Sequence, residues 1–412
     1  MSQDKSGLVS KNEAIKKTLK ETKAKRKNQT CFVRELKINT SHMNKTDLSK
    51  LNLYFIEAKW LYNALLASEN YKDFDLSKKL THVSGLDRIK NFELKPMTAL
   101  SSQLKQSIQT QLQNNLSSLS KKKAKGFHIG KLKFVSEINS INLKQYKNTW
   151  SFNNDFKKIS IQGIKSLLKV HGMKQFKFNE INYDFANAKL VKKATGFYLK
   201  ITYYVNNIDL IVNHQQKKSV GLDFGIKTNI TTSDGDKFDI SIKESESLKK
   251  HQRSLALCKK GSNNRYKVKN KIKKSYEILN NRKNDKANKI VSYLLNNYDT
   301  IYLQDENLSG WHKSTFGAAV QHSALGQIKT KIILSPKSKL IDKYARSTKE
   351  CFCGLIIEIG LSRIFHCPLC GYKEDRDLKA AKFMVYLGEN NISLVDKTTK
   401  SPLRIAGTIT TD

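Results

Sequence analysis

The sequence predicts a multidomain chain of α/β plus β class. A small antiparallel β-barrel with helices inserted after its first strand precedes a mixed α/β core, and a cysteine-rich piece is set into that core. Three observations predict it. Two short apolar strands in the second half each carry acids and are separated by a long basic helical insert; strand-like alternation recurs through residues 121–215; and four cysteines fall in two close pairs. At 412 residues the chain is long enough for about two or three domains.

The core is organised around Ser219–Asp236, an apolar strand, a Gly-containing bend, a second strand rich in Ile and Thr, and a Ser-Asp-Gly-Asp turn. Asp223 interrupts the first strand. A carboxylate there is costly to bury unless something positive sits against it, and a divalent magnesium ion is one such partner, while capping of the bend before Gly225 is the plainer alternative. Asp299–Leu308 is a second apolar strand ending in acids, and Glu374–Met384 puts Asp375 and Asp377 at a helix start, where the positive helix end suits them. Acids from two strands and a helix start can converge on two metals roughly 3.5–4 Å apart, which suits phosphodiester hydrolysis. This three-part pattern resembles the RuvC type of RNase H-like nuclease core.

Charge points to the partner. There are 75 Lys and Arg against 36 Asp and Glu, a net charge of +39, which favours a polyphosphate. No apolar run of about 18 residues and no signal peptide is present, so the sequence argues against a membrane and for the cytoplasm, with its six cysteines reduced.

In chain order, residues 1–29 read as a flexible or weakly helical basic arm and Thr30–Asn39 as a strand. Asp47–Ser68 is helical, with Trp60 and Tyr62 read as core before base-stacking platforms, and Phe92–Leu119 is a second helical region. Gly130–Val135, Ile159–Ile161, Ala188–Val191 and Gly196–Val205 are the further barrel strands. Leu248–Lys260 and Arg265–Tyr298 form the basic insert; the second carries an apolar stripe at Val268, Ile272, Tyr276, Leu279, Ile290 and Leu294 that seats it on the sheet. Cys351-Phe-Cys353-Gly and Cys367-Pro-Leu-Cys370-Gly have the spacing of a tetrahedral zinc site, although the first pair is one residue short and needs a tighter turn. A degenerate finger without metal is the alternative. Cys31 and Cys258 have no partners in the pattern.

The ordered motifs Gly-Leu-Asp-Phe-Gly-Ile-Lys (221–227), Gln-Asp-Glu-Asn-Leu-Ser-Gly-Trp-His (304–312), Cys-x-Cys-Gly with Cys-x-x-Cys-Gly, and Asp-Arg-Asp-x-x-Ala-Ala (375–381) resemble the TnpB family. These are transposon-encoded RNA-guided DNA endonucleases related to the miniature type V CRISPR effectors. The resemblance extends upstream to the helix at 51–63, to Ser101–Gln106 and to Gly130–Phe134. It implies a wedge-type β-barrel at 1–40 and 121–215, a helical recognition lobe at 41–120, a split RuvC core at 216–342 and 373–393, a zinc-ribbon insertion for target nucleic acid at 343–372, and a C-terminal tail at 394–412. It implies a guide RNA and a double-stranded DNA target as partners, a prokaryotic cytoplasmic location, two catalytic magnesium ions and one structural zinc. Whether one copy or two assemble is left open.

On the same resemblance Asp223 and Asp377 are catalytic acids and Asp375 an auxiliary. Two positions depart from the family pattern: Lys379 stands where many relatives carry Asn, and Gln304 stands where many carry a metal-binding Glu. Glu306 lies two residues on, about 6.6 Å along a strand and on the same face, so a small bend would bring it to the metals. Glu306 is therefore the expected third ligand, with Gln304 auxiliary. The alternatives are a nuclease-dead RNA-guided repressor, a CRISPR-associated effector, and a plain DNA-binding protein or strand-joining transposase.

Overall fold

The structure is a computed structural model, described for residues 3–77, 79–86, 91–178, 180–210, 218–360 and 362–395. The first two residues of the expected arm and the expected tail beyond residue 395 lie outside these. The chain divides into two units, Met1–Ile211 and Val212–Asp412.

In the first unit, α1 (Gln3–Lys27) leads into β1 (Gln29–Ile38), α2 (Lys45–Ala67), the hairpin β2 (His82–Leu86) and β3 (Phe92–Pro96), and α3 (Ser102–Ala124). Then come β4 (Ser140–Leu143), β5 (Trp150–Phe152), β6 (Lys158–Ile161), β7 (Leu168–His171), β8 (Asp184–Lys193) and β9 (Gly196–Asn206). Seven of these strands form one antiparallel sheet in the order β4-β8-β9-β1-β7-β6-β5. Period-two burial along β9 sends Leu199, Ile201, Tyr203 and Val205 inward. They share a single core with Leu51, Phe55, Leu61 and Leu65 of α2 and Leu104 and Ile108 of α3. Trp60 is half-buried and Tyr62 fully buried, as core residues.

Of the two forms expected of the arm it takes the helical one, its end tied down with Lys25 and Arg26 each 2.8 Å from Asp184. Two expectations are corrected. Gly130–Val135 is not a strand, because Asn63 takes both backbone groups of Val135, at 3.0 and 2.9 Å, where a neighbouring strand would sit. The second helix starts at Ser102, not Phe92. Pro96 disfavours helix at Lys95, and the N–H groups of Thr98, Ala99 and Leu100 are taken by the buried Glu57 carboxylate at 2.8–2.9 Å.

The second unit runs β10 (Ser219–Phe224), β11 (Ile230–Thr232), β12 (Lys237–Phe238), α4 (Glu246–Leu257), α5 (Asn263–Asn297), β13 (Thr300–Gln304), α6 (Leu308–Lys313), α7 (Gly317–His322) and α8 (Leu325–Ile333). It continues with β14 (Ser338–Ile341), the hairpin β15 (Ile364–His366) and β16 (Lys373–Asp375), α9 (Arg376–Glu389) and β17 (Leu394–Val395). Its main sheet has the order β12-β11-β10-β13-β14-β17, with β10, β13 and β14 parallel. Parallel neighbours need crossovers, supplied by α4–α5 and by α6–α8. The first two residues of the expected tail are thus an edge strand paired with β14.

The two faces of this sheet are covered differently. Val220, Leu222, Phe224, Ile301 and Leu303 pack on α5 and α8. On the opposite face Tyr302 and Ile341 pack on Phe383, Met384 and Leu387 of α9. Helix α9 comes so close that a Cβ on Gly221 would stand 1.9 Å from the Ala381 carbonyl oxygen, so only glycine fits there. Strand alternation then puts Asp223 on the α9 face.

Candidate functional site

Asp223 ends the interior of β10 and is half-buried. Burial pushes its carboxyl well above the usual range, and the nearby charges of Glu306 and Asp377 push it further, against the opposite pull of Arg376. Asp223 thus feels the charges of two acids that are distant in sequence. Asp377 lies in the first turn of α9, its side chain 17% exposed, with Arg363 at 3.2 Å and Arg376 at 3.5 Å.

Glu306 lies beyond the end of β13, in the segment that leads into α6. β13 stops at Gln304, Asp305 N–H adds one more bond to the Ile341 carbonyl at 2.9 Å, and Asn307 then caps α6. The Lys329 ammonium holds the Glu306 carbonyl at 2.7 Å, fixing the bend. Burial raises the Glu306 carboxyl to about 7 despite the opposing Lys329 charge, and its Oε2 is buried without a hydrogen-bond donor among the described residues. Carboxylate oxygens are hard donors of the kind that suits a divalent cation such as magnesium, and the orphaned Glu306 oxygen is free to take one, although among the described residues only the cysteines converge within ligand distance of one another.

The two auxiliaries are engaged otherwise. Asp375 is the N-cap of α9, accepting from Asp377 N–H at 3.0 Å and Leu378 N–H at 3.1 Å, and it pairs with Lys237 at 3.2 Å. Burial raises its carboxyl, but these bonds prevail and it lies below the usual range. Gln304 is buried, and its amide Nε2 donates to the carbonyls of Asp342 (3.1 Å), Lys343 (3.2 Å) and Ala345 (2.7 Å) while Oε1 accepts from Ser347 Oγ at 3.2 Å. A carboxylate could make none of the three donations. The neutral amide is therefore required by the loop that follows β14. Beside Glu306 and Gln304 opens a cleft of about 550 Å³, whose lining includes Lys343, Arg346 and Lys349.

The cysteines form a second cluster. All four Sγ atoms lie within 4.8 Å of one another, with Cys351–Cys370 at 3.5 Å and Cys353–Cys367 at 3.7 Å, so the group could hold a structural metal such as zinc. The short first pair converges because Gly354, at φ +86°, closes a tight turn with its N–H on the Cys351 carbonyl at 3.0 Å. Cys367 and Cys370 sit in the turn between β15 and β16. Backbone N–H groups of Cys370 and Leu369 lower the Cys367 thiol to about 6, whereas burial pushes Cys351 up to about 12.

One residue is larger in the structure than in the sequence. Lys379 is fully buried on α9, its ammonium donating to the carbonyls of Ser347 (2.8 Å) and Glu350. It faces the rings of Phe383 at 4.3 Å and Phe365 at 4.4 Å, and burial lowers it to about 8. Its departure from the family motif was the only sequence signal. Arg376, beside Asp377, had none beyond its place in the Asp-Arg-Asp motif, and Arg363 had none.

The family model OrfB_IS605, described as a probable transposase, matches residues 201–314, and the Cas12f1-like TNB domain model matches residues 337–384. No curated protein matches. Among solved structures, a cryo-EM Cas12f1–sgRNA–target DNA complex has a chain similar at 12% identity and TM-score 0.42, covering 81% of this chain and 81% of that one. At that score the likeness carries no argument. Among the described residues no helix is long and apolar enough to cross a membrane.

Proposed function

Since this chain is a TnpB-like family member, we propose that it is an RNA-guided DNA endonuclease whose RuvC-type centre is Asp223, Glu306 and Asp377. The observation that carries the reading is that the charges of Glu306 and Asp377 act on Asp223, with Glu306 Oε2 buried and without a hydrogen-bond partner among the described residues. They would hold magnesium, which when bound supplies Lewis-acid stabilisation of an attacking water and a leaving phosphodiester oxygen. Burial raises the proton affinity of Asp223 and Glu306, and a cation at the site would take the place of those protons. Arg376 and Arg363 orient Asp377, and Lys343 and Arg346 in the cleft beside Glu306 suit a polyanionic strand, while Lys349 there is paired with Glu358.

The guide RNA and duplex target follow from the family resemblance and from the +39 charge, which a phosphate backbone neutralises. Zinc at Cys351, Cys353, Cys367 and Cys370 would fold residues 343–372 as a target-binding ribbon. The proposed organisation keeps the remaining divisions of the sequence reading, a wedge-type barrel with its helical lobe before a split core, and places the protein in the cytoplasm. A CRISPR-associated effector of the same chemistry is the neighbouring form of this reading.

Gln304 is the observation that favours a second reading, a guided binder that does not cut, because a neutral amide ends the strand. The test separates them. RNA copurifying from cells carrying the native locus is loaded with a matched target bearing randomised flanking sequence, and magnesium-dependent cleavage is followed beside target binding. Cleavage lost in Glu306→Gln with binding retained supports the nuclease; a wild type that binds and never cuts gives the repressor. If nothing RNase-sensitive copurifies, guidance by RNA is excluded.

A further inference from the structure

The cysteine cluster and the carboxylate cluster are joined by one hydrogen-bonded path. Gln304, two residues before Glu306, donates to the carbonyls of Asp342, Lys343 and Ala345 and accepts from the Ser347 hydroxyl. The Ser347 carbonyl accepts from Lys379, whose ammonium also takes the carbonyl of Glu350, the residue before Cys351. Lys379 in turn belongs to the same helix as Asp377.

Each feature of Lys379 argues against a filler. Its side chain is 0% exposed, and among the described residues no carboxylate pairs with it. A buried ammonium costs several kcal/mol unless its protons are all used. It sits near the N-terminus of α9, where the helix dipole disfavours a cation. What offsets these costs is all on the cysteine side or on α9 itself: two carbonyls of the segment entering the cluster, Phe365 between the two cysteine pairs at 4.4 Å, and Phe383 one turn along the helix at 4.3 Å. Asp377 is two residues away and so on a different face of the helix, which rules out simple neutralisation of that acid.

We propose that Lys379 is a positioning residue that locks the cysteine-ligand segment onto α9, so that the geometry at the four thiols and the placement of the Asp377 carboxylate are set together. The inference rests on the proposed carboxylate centre. It predicts that removing the ammonium changes both clusters, although Lys379 touches no ligand atom of either.

The test uses the full chain with its copurifying RNA and two metals as probes. Cobalt replacing zinc reports thiolate geometry through its visible absorption bands, and manganese binding read by electron paramagnetic resonance reports the carboxylates. Lys379→Met keeps the chain length and removes the charge; Lys382→Met, at a half-exposed lysine of α9 paired with Glu374, is the control. The expected result is a shifted cobalt spectrum and manganese affinity weakened about 10- to 100-fold in Lys379→Met, the size of effect seen for residues that orient ligands from outside the coordination sphere. Lys382→Met should match wild type. If Lys379→Met does not fold, Lys379→Gln, which keeps a donor for one carbonyl, takes its place and should show the same two changes at smaller size. Wild-type values in both readouts overturn the proposal, and so does a change in only one, since the residue then serves one cluster alone. Failure of the nuclease reading looks different: manganese bound by the wild type, and no cleavage.

Discussion

The four thiols and the three carboxylates lie in the same unit of the fold, yet they are assembled in opposite ways. The thiols come from two tight turns within twenty residues, and each turn closes itself with backbone hydrogen bonds, such as Gly354 N–H to the Cys351 carbonyl. The carboxylates come from a strand, a loop bend and a helix spread over 155 positions, and the charges of Glu306 and Asp377 work against ionisation of Asp223. The thiol group is thus largely encoded where its residues stand, whereas the acids owe their neighbours to the rest of the fold. The difference predicts that mutations within the two cysteine turns act locally, and that the carboxylates respond to changes in parts that never touch them.

The largest effect that would break this contrast is at the acids themselves. Asp223→Ala, Glu306→Gln and Asp377→Ala should each lower cleavage by about a thousandfold, equivalent to roughly 4 kcal/mol, with target binding and zinc content unchanged. Normal cutting by Glu306→Gln would remove it from the site. Cys353→Ser sharpens the other side: elemental analysis should show its zinc lost, while a carboxylate variant keeps a full equivalent. Full zinc in both Cys351→Ser and Cys353→Ser would take the short pair out of the cluster.

Gln304→Glu puts a charge against the carbonyls of Asp342, Lys343 and Ala345, so it should destabilise the second unit by about 3 kcal/mol rather than restore a ligand. A variant that melts with the wild type and cuts faster would show that the strand end wants an acid after all. Gly221→Ala forces α9 off β10 and should cost roughly 2 kcal/mol in thermal denaturation, with a further loss of cleavage because Asp377 moves with the helix.

The smallest effect is the pH dependence. Glu306 is raised from 4.5 to about 7, chiefly by burial, so the metal-free fold binds more protons than the unfolded chain and loses stability from this group as pH rises across that interval. Magnesium reverses the loss by taking the protons' place. The magnesium-induced rise in melting temperature should therefore be larger at about pH 7.5 than at about pH 5.5, by a few degrees. Glu306→Gln should flatten it; an unchanged difference in that variant would dissociate Glu306 from the metal.

By itself the sequence determined the acid-bearing strands, the helix start at Asp375–Asp377, the thiol pairs and the basic insert, because each is written in local periodicity, capping or spacing. It also carried the motifs by which a family is legible. It did not determine the pairing of β2 with β3, the late start of α3 or the irregular path of 130–135; at the last two, one side chain from elsewhere, Glu57 at 98–100 or Asn63 at Val135, takes the backbone groups that local pattern assigns to helix or strand. Only the tertiary structure decided what the two departures from the family pattern do. Gln304 and Lys379 read as a lost ligand and a neutral substitution until the segment at 342–350 is folded beside them, some 30 to 40 residues away in either direction. A buried polar group is defined by its partners, and partners that far apart leave no periodic trace in the chain.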